Sequence, residues 1–410
     1  MLKKIVQMKY FCGLDIGTQT LKAAMIRVQD EQNLDLLGVV EQPVMGLKEA
    51  SISDITELAD GIRRVVEELI RKTGIKAHAL EIGIGADLLA SRRSGAIIPL
   101  VDSGTKVISK FDVRKVDGQA KLLGVGLDEE LIHAFPQFYK VDDVNTALNP
   151  VGLMARKLEA NLLLLTANAL RVRNFTKAVH QAGFEVSRVS CSAYAACEVV
   201  MDKALKEQGA ALIDIGYSTT TVLFFKNGIV GDVQLIPWGG QYVSQSIAER
   251  LSLTIDMAEE IKKSHAMASQ PKVPDIGGEM LVKRDKGYMP ISRQSVCDVV
   301  NWEIENLLTH LETVVKGSSF YHQLNAGIVM VGGGALLPGL MERIEERTNL
   351  TVRMGGATRG LNQAGIYAAA IGLAQMHYLT NAREAIDFKT PKNLKDKIVS
   401  GFQELCQEYF

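Results

Sequence analysis

Two stretches of the chain, residues 12–40 and 211–236, share one pattern of apolar and polar positions. Each contains three apolar runs separated by two short polar turns, which is typical of three consecutive antiparallel strands. In both stretches the first run ends in Asp-x-Gly, at Asp15 and at Asp214. This repetition predicts a duplicated chain with two lobes whose acidic turns face one shared cleft.

Helical periodicity is clearest in residues 54–72, where apolar side chains recur every three or four positions. Asp54 and Glu57 are suited to cap this helix, and Gly74 is suited to end it. A strand is predicted at 78–85. The other predicted elements are strands at 162–166, 184–189 and 326–334, helices at 168–182, 192–205, 241–251 and 338–346, and a hairpin at 271–293 in a helix-rich region.

The order of these elements predicts an α/β fold, and 410 residues are too many for one ordinary core. We therefore expect two or more lobes.

Composition excludes several classes of protein. Hydrophobic residues make up 47% of the chain and charged residues 23%, which is typical of a globular protein. A net charge of −1 gives no basic field for nucleic acid. The five cysteines form no CxxC pair and are expected to be free thiols in a reducing cytoplasm. The start of the chain does not read as a signal peptide, and no apolar run reaches the roughly 20 residues of a spanning helix.

The two acidic turns have the chemistry of a phosphate site. Glycine lets backbone N–H groups approach phosphate oxygens, and a carboxylate at a strand end can order the water shell of Mg²⁺. The candidate residues are Asp15, Gly17 and Thr18 in the first turn, and Asp214, Gly216, Ser218, Thr219 and Thr220 in the second.

A third element, residues 327–334, reads as a strand that runs into a glycine turn. Its candidates are Gly332, Gly333 and Gly334, whose bare backbone can pass under a ribose and an α-phosphate. One Asp-x-Gly turn is common in ordinary hairpins, but three such elements in this order are far more specific. Together they predict a nucleotide-binding cleft.

The terminal segment 393–410 has an apolar stripe at helical spacing. From Lys389 onward the net charge is only +1, so attraction to anionic lipid should be weak. This segment is expected to bind a membrane surface, and the alternative is docking on its own domain or on a partner. The proposed membrane-contacting residues are Leu394, Ile398, Val399, Phe402, Leu405, Tyr409 and Phe410.

Two further stretches carry a family resemblance. Residues 133–139 read HAFPQFY and residues 149–153 read NPVGL, which is similar to a signature of the inserted subdomain in the FtsA family. With the three glycine-containing elements, the chain resembles this family of bacterial actin-like cell-division proteins over nearly its whole length. The resemblance implies an actin-like duplicated fold with ribonuclease H-like halves. A small α+β insert would stand in place of actin's subdomain 1B, and an amphipathic helix would end the chain. The boundaries that the resemblance implies are 9–85, 166–205 and 360–380 for the core of lobe 1, 86–165 for the insert, 206–254 and 321–359 for the core of lobe 2, 255–320 for its smaller subdomain, 381–392 for a linker and 393–410 for the terminal helix.

The resemblance also implies a function. It predicts ATP and Mg²⁺ as ligands, with Asp15 and Asp214 holding the metal through water. The helix at 258–262 matches the one that closes over the adenosine, so Glu259 and Lys262 are candidate nucleotide contacts, with a solvated charged face as the alternative. Residues 365–372 resemble the small-residue helix at the interdomain hinge.

The implied partners are copies of the chain itself in a polymer, the C-terminal peptide of the tubulin-like protein FtsZ, later division proteins and the lipid surface. No nucleic acid is implied. The implied location is the cytoplasmic face of the cell membrane at the division site. The basic residues in the region expected to receive the FtsZ peptide are Lys283, Arg284, Lys286 and Arg293, with ordinary solvated surface as the alternative.

Three departures from the family pattern bear on these expectations. Tyr217 and Ser218 follow Gly216, where the family's second turn usually has glycines, so Tyr217 either crowds the phosphates or points away. Residues 191–194 offer no obvious general base, so hydrolysis of ATP should be poor. Residues 301–303 read Asn-Trp-Glu where the family often has Glu-Pro-Arg.

The three glycine-containing elements resemble the phosphate-1, phosphate-2 and adenosine motifs of the actin/Hsp70/hexokinase superfamily, and two other functions are compatible with that superfamily. One is a scaffold for type IV pilus assembly, which shares the insert but lacks the terminal amphipathic helix and the NPVGL stretch. The other is a small-molecule kinase, which needs a catalytic carboxylate and a substrate pocket that the sequence does not reveal. A chaperone is excluded, because no β-rich substrate-binding domain follows residue 378.

Overall fold

The structure, a computed structural model, describes residues 9–30, 33–48, 50–143, 145–268, 278–284, 287–356 and 364–388. Its strands are β1 (Lys9–Ile16), β2 (Thr20–Asp30), β3 (Asn33–Pro43), β4 (Leu47–Lys48), β5 (Ser51–Ile52), β6 (Ala79–Ile84), β7 (Leu89–Pro99), β8 (Lys106–Val107), β9 (Glu129–Val141), β10 (Asn145–Ala147), β11 (Met154–Ala155), β12 (Lys157–Asn168), β13 (Glu185–Cys191), β14 (Ala210–Ile215), β15 (Thr220–Lys226), β16 (Ile229–Ile236), β17 (Glu279–Arg284), β18 (Gly287–Ser292), β19 (Ile328–Val331) and β20 (Val352–Met354). Its helices are α1 (Ile55–Thr73), α2 (Lys110–Gly124), α3 (Ala169–Gln181), α4 (Ser192–Val200), α5 (Lys203–Gln208), α6 (Gly240–Arg250), α7 (Ile255–His265), α8 (Arg293–Gly317), α9 (Leu340–Thr348) and α10 (Ala364–Phe388).

Two five-stranded sheets with one topology form the two lobes. The sheet of lobe 1 has the order β13–β6–β1–β2–β3, and the sheet of lobe 2 has the equivalent order β20–β19–β14–β15–β16. In each sheet three consecutive strands are antiparallel, and two later strands continue the sheet in parallel on the far side. The predicted duplication is confirmed at the level of strand order.

The first helix begins and ends where its sequence signals lie. Asp54 accepts hydrogen bonds from the amides of Thr56 and Glu57, and Gly74 ends the helix with a left-handed φ of 70°. Its apolar face is buried against the sheet of lobe 1. The fully buried residues of that face include Leu58, Ile62, Val65, Val66 and Leu69.

A separate small layer lies within residues 89–168. Its sheet has the order β10–β9–β12–β7, and α2 packs against β7 and β12. Ser109 and Asp112 form a capping box at the start of α2. These elements share a hydrophobic core of their own, which includes Val116, Leu158 and Leu164.

In lobe 2 the long helix α8 lies against α6, α7 and α9. Its buried side chains belong to the same core as the sheet of that lobe. The hairpin β17–β18 precedes this helix, as the sequence predicts.

Helix α10 crosses lobe 1 in very close contact with its neighbours. A Cβ atom on Gly13 of β1 would collide with the carbonyl of Ala370, and one on Gly372 would collide with the carbonyl of Ala195 in α4. Only glycine permits this approach of backbone to backbone. The helix therefore joins β1 and α4, both of which reach the space between the lobes.

Two predicted elements differ from the structure. The single helix expected at 192–205 is two helices, because Met201 is extended and Asp202 caps a new helix by accepting from the amide of Leu205. Helix α10 continues to Phe388, through residues where the sequence predicts a polar linker.

Several predictions fall on residues that the structure does not describe. These are the terminal helix 393–410, with its proposed membrane-contacting residues Leu394, Ile398, Val399, Phe402, Leu405, Tyr409 and Phe410, together with Lys286 and the side chains of Lys283 and Arg284. Arg293 is described, and it is exposed at the start of α8. Within the described residues no helix is both long enough and apolar enough to cross a bilayer.

Candidate functional site

A cleft of about 530 Å³ lies between the two lobes. Its walls are the turn after β1, the turn after β14, the glycines after β19, and one face of α7. These elements bring together almost all of the residues that the sequence predicts for a nucleotide site. The predicted residues that line the cleft are Asp15, Gly17, Thr18, Asp214, Gly216, Ser218, Thr219, Glu259, Lys262, Gly332, Gly333 and Gly334.

The two acidic turns have the same backbone geometry. The amide of Gly17 donates to the carbonyl of Thr20 over 3.1 Å, and the amide of Gly216 donates to the carbonyl of Thr219 over 2.9 Å. The turns also meet directly, because the hydroxyl of Ser218 donates to that of Thr18 over 2.7 Å. The pattern seen in the sequence therefore corresponds to two equivalent turns on opposite walls of one cleft.

The two carboxylates interact electrostatically across the cleft. Asp15 is buried and accepts a hydrogen bond of 2.7 Å from Ser192. Burial and the negative charge of Asp15 raise the pKa of Asp214 to about 6, while the ammonium of Lys22 opposes this shift. A divalent cation between these carboxylates would remove their repulsion.

The three glycines after β19 have different roles. Gly332 has a φ of 89°, and a Cβ atom there would collide with the carbonyl of Ile215 and lie 2.5 Å from a carboxylate oxygen of Asp214. A Cβ on Gly334 would collide with the side chain of Ile215. A Cβ on Gly333 would have nothing within 4 Å, and its backbone is in the right-handed helical region. Gly332 and Gly334 are therefore required for packing, whereas Gly333 borders open space in the cleft.

Helix α7 presents a charged pair to the cleft. Lys262 donates to Glu259 over 2.6 Å and to the carbonyl of Gly240 over 2.9 Å. Burial alone would raise the pKa of Glu259, but hydrogen bonds from Lys262, Ser244 and Gln19 and the charge of Lys262 lower it to about 2. The pair is therefore ionised, and Gln19 links it to the turn of lobe 1.

Tyr217 points towards α7. Its ring centroid lies 5.6 Å from the ammonium nitrogen of Lys262. Burial raises the pKa of Tyr217, and the charges of Glu259 and Asp256 raise it further. Of the two orientations that the sequence left open, the structure has the ring directed to the wall formed by α7.

One predicted residue lies elsewhere. Thr220 is fully buried at the start of β15, and its hydroxyl donates to the carbonyl of Trp238 over 2.8 Å. Alternation along the strand explains the difference, because neighbouring residues point to opposite faces of a sheet. Its neighbours Thr219 and Thr221 line the cleft instead.

The cleft also contains charged residues that the sequence analysis did not identify, namely Lys22, Glu41, Asp87 and Lys263. A lysine inside the apolar run 21–28 was a usable signal for Lys22, because a buried strand rarely carries a charge without a partner. Asp87 follows β6, which is parallel to β1, so both strands end at one edge of the sheet. Burial raises the pKa of Asp87.

The start of α4 carries no carboxylate or amide side chain that faces the cleft. Ser192 is bonded to Asp15, and the amide of Cys191 donates to the ring of His133 over 3.0 Å. Tyr194 packs edge-on against His133 and Phe135. The expectation of weak hydrolysis stays a prediction.

The departure at 301–303 has a structural basis in lobe 2. Glu303 is buried and accepts hydrogen bonds from Ser246 and from the indole of Trp238. Trp302 is 51% exposed, and the guanidinium of Arg250 lies 4.6 Å from its ring centroid. Arg250 and Trp302 therefore form the surface at this point, whereas the carboxylate of Glu303 points into the interior of lobe 2.

Comparison with known families gives two matches. The model of the cell-division protein FtsA matches residues 211–372, and the model of the SHS2 domain inserted in FtsA matches residues 88–166. The second match overlaps the small layer around β9 and β12.

Two relatives named cell-division protein FtsA align with most of this chain. The cell-division protein FtsA of Pseudomonas aeruginosa is 28% identical, over 89% of this chain and 88% of its own length. FtsA of Bacillus subtilis is 27% identical, over 95% of this chain and 88% of its own length.

Solved structures show the fold. The PilM–PilN type IV pilus biogenesis complex contains a chain similar to this one, with a TM-score of 0.63 and 15% identity, covering 90% of this chain and 98% of that chain. MreB5 of Spiroplasma citri bound to ADP has a TM-score of 0.56 and 13% identity, covering 93% and 99%. The MamK double helical filament has a TM-score of 0.53 and 14% identity, covering 90% and 98%.

The fold, the two family matches and the relatives agree with the resemblance found in the sequence. The architecture is an actin-like two-lobe fold with an inserted SHS2 domain. The chain belongs to the FtsA family of actin-like cell-division proteins.

Proposed function

We propose that this chain binds ATP with Mg²⁺ in the cleft between its lobes. The observation that carries the proposal is the electrostatic coupling of Asp15 and Asp214, which extend from equivalent turns on opposite walls. Two such carboxylates without a cation repel each other, and a site of this kind favours a divalent ion. The structural relative MreB5, which has been solved bound to ADP, supports the nature of the ligand.

The metal would be held mainly through water and phosphate. Within the described residues, no group of three or more His, Cys, Asp or Glu side chains could hold an ion alone. Mg²⁺ is usually bound by one or two carboxylates with several waters and the phosphates of the nucleotide, and Asp15 and Asp214 fit that requirement. When bound, the ion would neutralise phosphate charge.

The remaining contacts follow from the walls of the cleft. We assign the phosphates to the backbone amides of the two turns, the hydroxyls of Thr18 and Ser218, and the ammonium of Lys22. The bare backbone of Gly333 borders the space for the ribose and α-phosphate. The charged pair of Glu259 and Lys262 borders the nucleoside.

The cell-division role of the family supports a wider proposal. We infer that the chain polymerises with its own copies, receives the C-terminal peptide of FtsZ in the region 255–320, recruits later division proteins through its insert, and attaches the FtsZ filament to the cytoplasmic face of the cell membrane. The MamK filament supports polymerisation by this fold. The amphipathic stripe in 393–410 supports attachment to lipid.

Gly333 gives a direct test of nucleotide binding. A Cβ on Gly333 would meet nothing within 4 Å, so the side chain of Gly333→Trp would start in the open space of the cleft, and the variant should lose ATP binding by at least about tenfold. The matched control is Gly118→Trp, because a Cβ on Gly118 also has nothing within 4 Å and α2 lies outside the cleft.

Calorimetric titration with ATP and Mg²⁺ measures both variants against the unsubstituted chain. Asp15→Ala should also weaken binding, because it removes one of the two proposed metal carboxylates. Unchanged binding in Gly333→Trp would contradict the proposed site.

A further inference from the structure

The backbone of Tyr217 is fixed from both sides. Its carbonyl accepts a hydrogen bond of 2.8 Å from the amide of Gln241 at the start of α6, and the preceding Gly216 bonds both Gly240 and Thr219. A Cβ on Gly239 would collide with the carbonyl of Tyr217. Because these contacts hold the backbone of the turn, the direction of the Cα–Cβ bond of Tyr217 is set by the fold.

The Tyr217 ring provides a third interaction for a lysine that is already bonded. The side chain of Lys262 is only 15% exposed, and it donates to Glu259 and to the carbonyl of Gly240. The ring of Tyr217 lies within the range of a cation–π interaction, which is stronger when the ammonium is desolvated. Glu259, the ring and the carbonyl together define one position for the ammonium.

The same group of residues spans the cleft. Gln19, in the turn of lobe 1, lies close enough to Glu259 to lower the pKa of its carboxyl group, while Tyr217 belongs to the turn of lobe 2. The path Gln19–Glu259–Lys262–Tyr217 therefore connects both turns through α7. A glycine at 217, as in the usual family pattern, would have no ring to contact Lys262, so the connection to the turn of lobe 2 would be lost.

We propose that Tyr217 is a positioning residue, whose ring holds Lys262 and thereby fixes the charged pair of α7 against the bound nucleotide. This inference deepens the proposed function and rests on it for its effect on ATP. If the ring only filled space, any apolar side chain of similar volume could replace it without loss of affinity. A ring that positions an ammonium acts only when both the ring and the ammonium are present.

The experiment is a double-mutant cycle with Tyr217→Leu, Lys262→Met and the double variant in the full chain. Tyr217→Leu should weaken binding of ATP and Mg²⁺ by about threefold to fivefold, which corresponds to the loss of a cation–π contact. In the Lys262→Met background the same change should have less than about half of that effect on a logarithmic scale. Tyr217→Phe, which keeps the ring, should restore most of the affinity that Tyr217→Leu loses.

Tyr242→Leu is the control for loss of an aromatic ring in lobe 2, because Tyr242 stacks on Trp238 and is outside the cleft lining. It should bind ATP like the unsubstituted chain. Equal effects of Tyr217→Leu in both backgrounds, or a Phe variant as weak as the Leu variant, would overturn the proposal.

The same cycle is also measured by chemical unfolding without nucleotide. There the Tyr217 and Lys262 substitutions should again be non-additive, because the contact exists before any ligand binds. If the unsubstituted chain binds no ATP, the proposed function fails while the unfolding cycle still decides whether Tyr217 holds Lys262. Additive unfolding effects would overturn the inference even if ATP binds.

Discussion

The carboxyl group of Asp214 makes stability depend on pH in an unusual direction. Its pKa is raised to about 6, so the folded chain holds this proton more tightly than the unfolded chain, where the pKa is about 4. The stabilisation is present in acid and is lost as the pH rises through about 4 to 6. The ionised carboxylate at neutral pH is therefore a cost that a bound cation would offset.

Asp214→Asn should consequently stabilise the ligand-free chain. Since the residue keeps partial access to the cleft, we expect a gain of about 1–2 kcal/mol at pH 7.5 that falls by roughly half at pH 5. Urea unfolding at the two pH values measures it, with the exposed Asp298→Asn as control. A variant that is less stable than the parent at pH 7.5 would contradict an energetic cost of ionising Asp214 in the folded chain.

The contribution of His133 to stability has the opposite pH dependence. Burial lowers its pKa to about 3, with a further contribution from Arg188, and its ring nitrogen accepts from the amide of Cys191. Its contribution to stability is complete above the unfolded pKa of about 6.5 and is lost as the pH falls below it.

His133→Gln keeps an acceptor but cannot be protonated. Between pH 6.5 and 5 the unfolding free energy of this variant should fall less steeply than that of the unsubstituted chain. The two slopes should differ by up to about 1.4 kcal/mol per pH unit. Unfolding curves at closely spaced pH values give both slopes. Parallel slopes would mean that the imidazole is not held in its neutral form.

At the scale of elements, helix α10 connects the cleft with the sheet and with helix α4 of lobe 1. Residues 365, 366 and 369 line the cleft, and the helix then contacts β1, β2, β6 and α4. Its 25 residues correspond to about 37 Å. One rigid element thus joins the cleft to the end of the described chain.

Gly372→Val tests how closely α10 must approach α4. The added side chain would collide with the carbonyl of Ala195, so the unfolding free energy should fall by at least about 3 kcal/mol. Gly118→Val, in a helix where a Cβ meets nothing within 4 Å, controls for helix propensity. Similar losses in the two variants, measured by urea unfolding, would argue against a tight helix crossing.

Sequence signals predicted elements well where those signals are local. Asp54 and Gly74 define α1 because a cap acts on its own helix. Asp202 was missed as a helix start, because the small residues before it continue a helical pattern. The link between Gln19 and Glu259 could not be predicted at all, since no local rule pairs residues on different lobes.

At the scale of the whole molecule, duplication made the cleft predictable. The repeated Asp-x-Gly turns predicted two walls of the cleft, and the strand order of the two sheets is the same. The residues that complete the cleft, such as Lys22 and Asp87, come from strand faces and strand ends. Their positions depend on register and on the parallel pairing of β1 with β6, which the pattern of apolar runs does not specify.

The proposed attachment to membranes depends on assembly of many chains. The segment from Lys389 onward has a net charge of only +1, so under this proposal each chain would carry one weak anchor that relies on its apolar stripe. Polymerisation would place many anchors on one surface, and binding would then gain from effective concentration. Retention on lipid should therefore rise steeply with protein concentration and depend little on the fraction of anionic lipid.

Co-sedimentation with liposomes tests this expectation. The full chain should pellet with vesicles, while a chain that ends at residue 392 should stay in the supernatant and still bind ATP. Phe402→Glu, which places a charge in the apolar stripe, should pellet at least about fivefold less than the conservative Phe402→Leu. Equal pelleting of the full and shortened chains would contradict the proposed membrane role of 393–410 and would favour the alternative, in which the segment docks on protein.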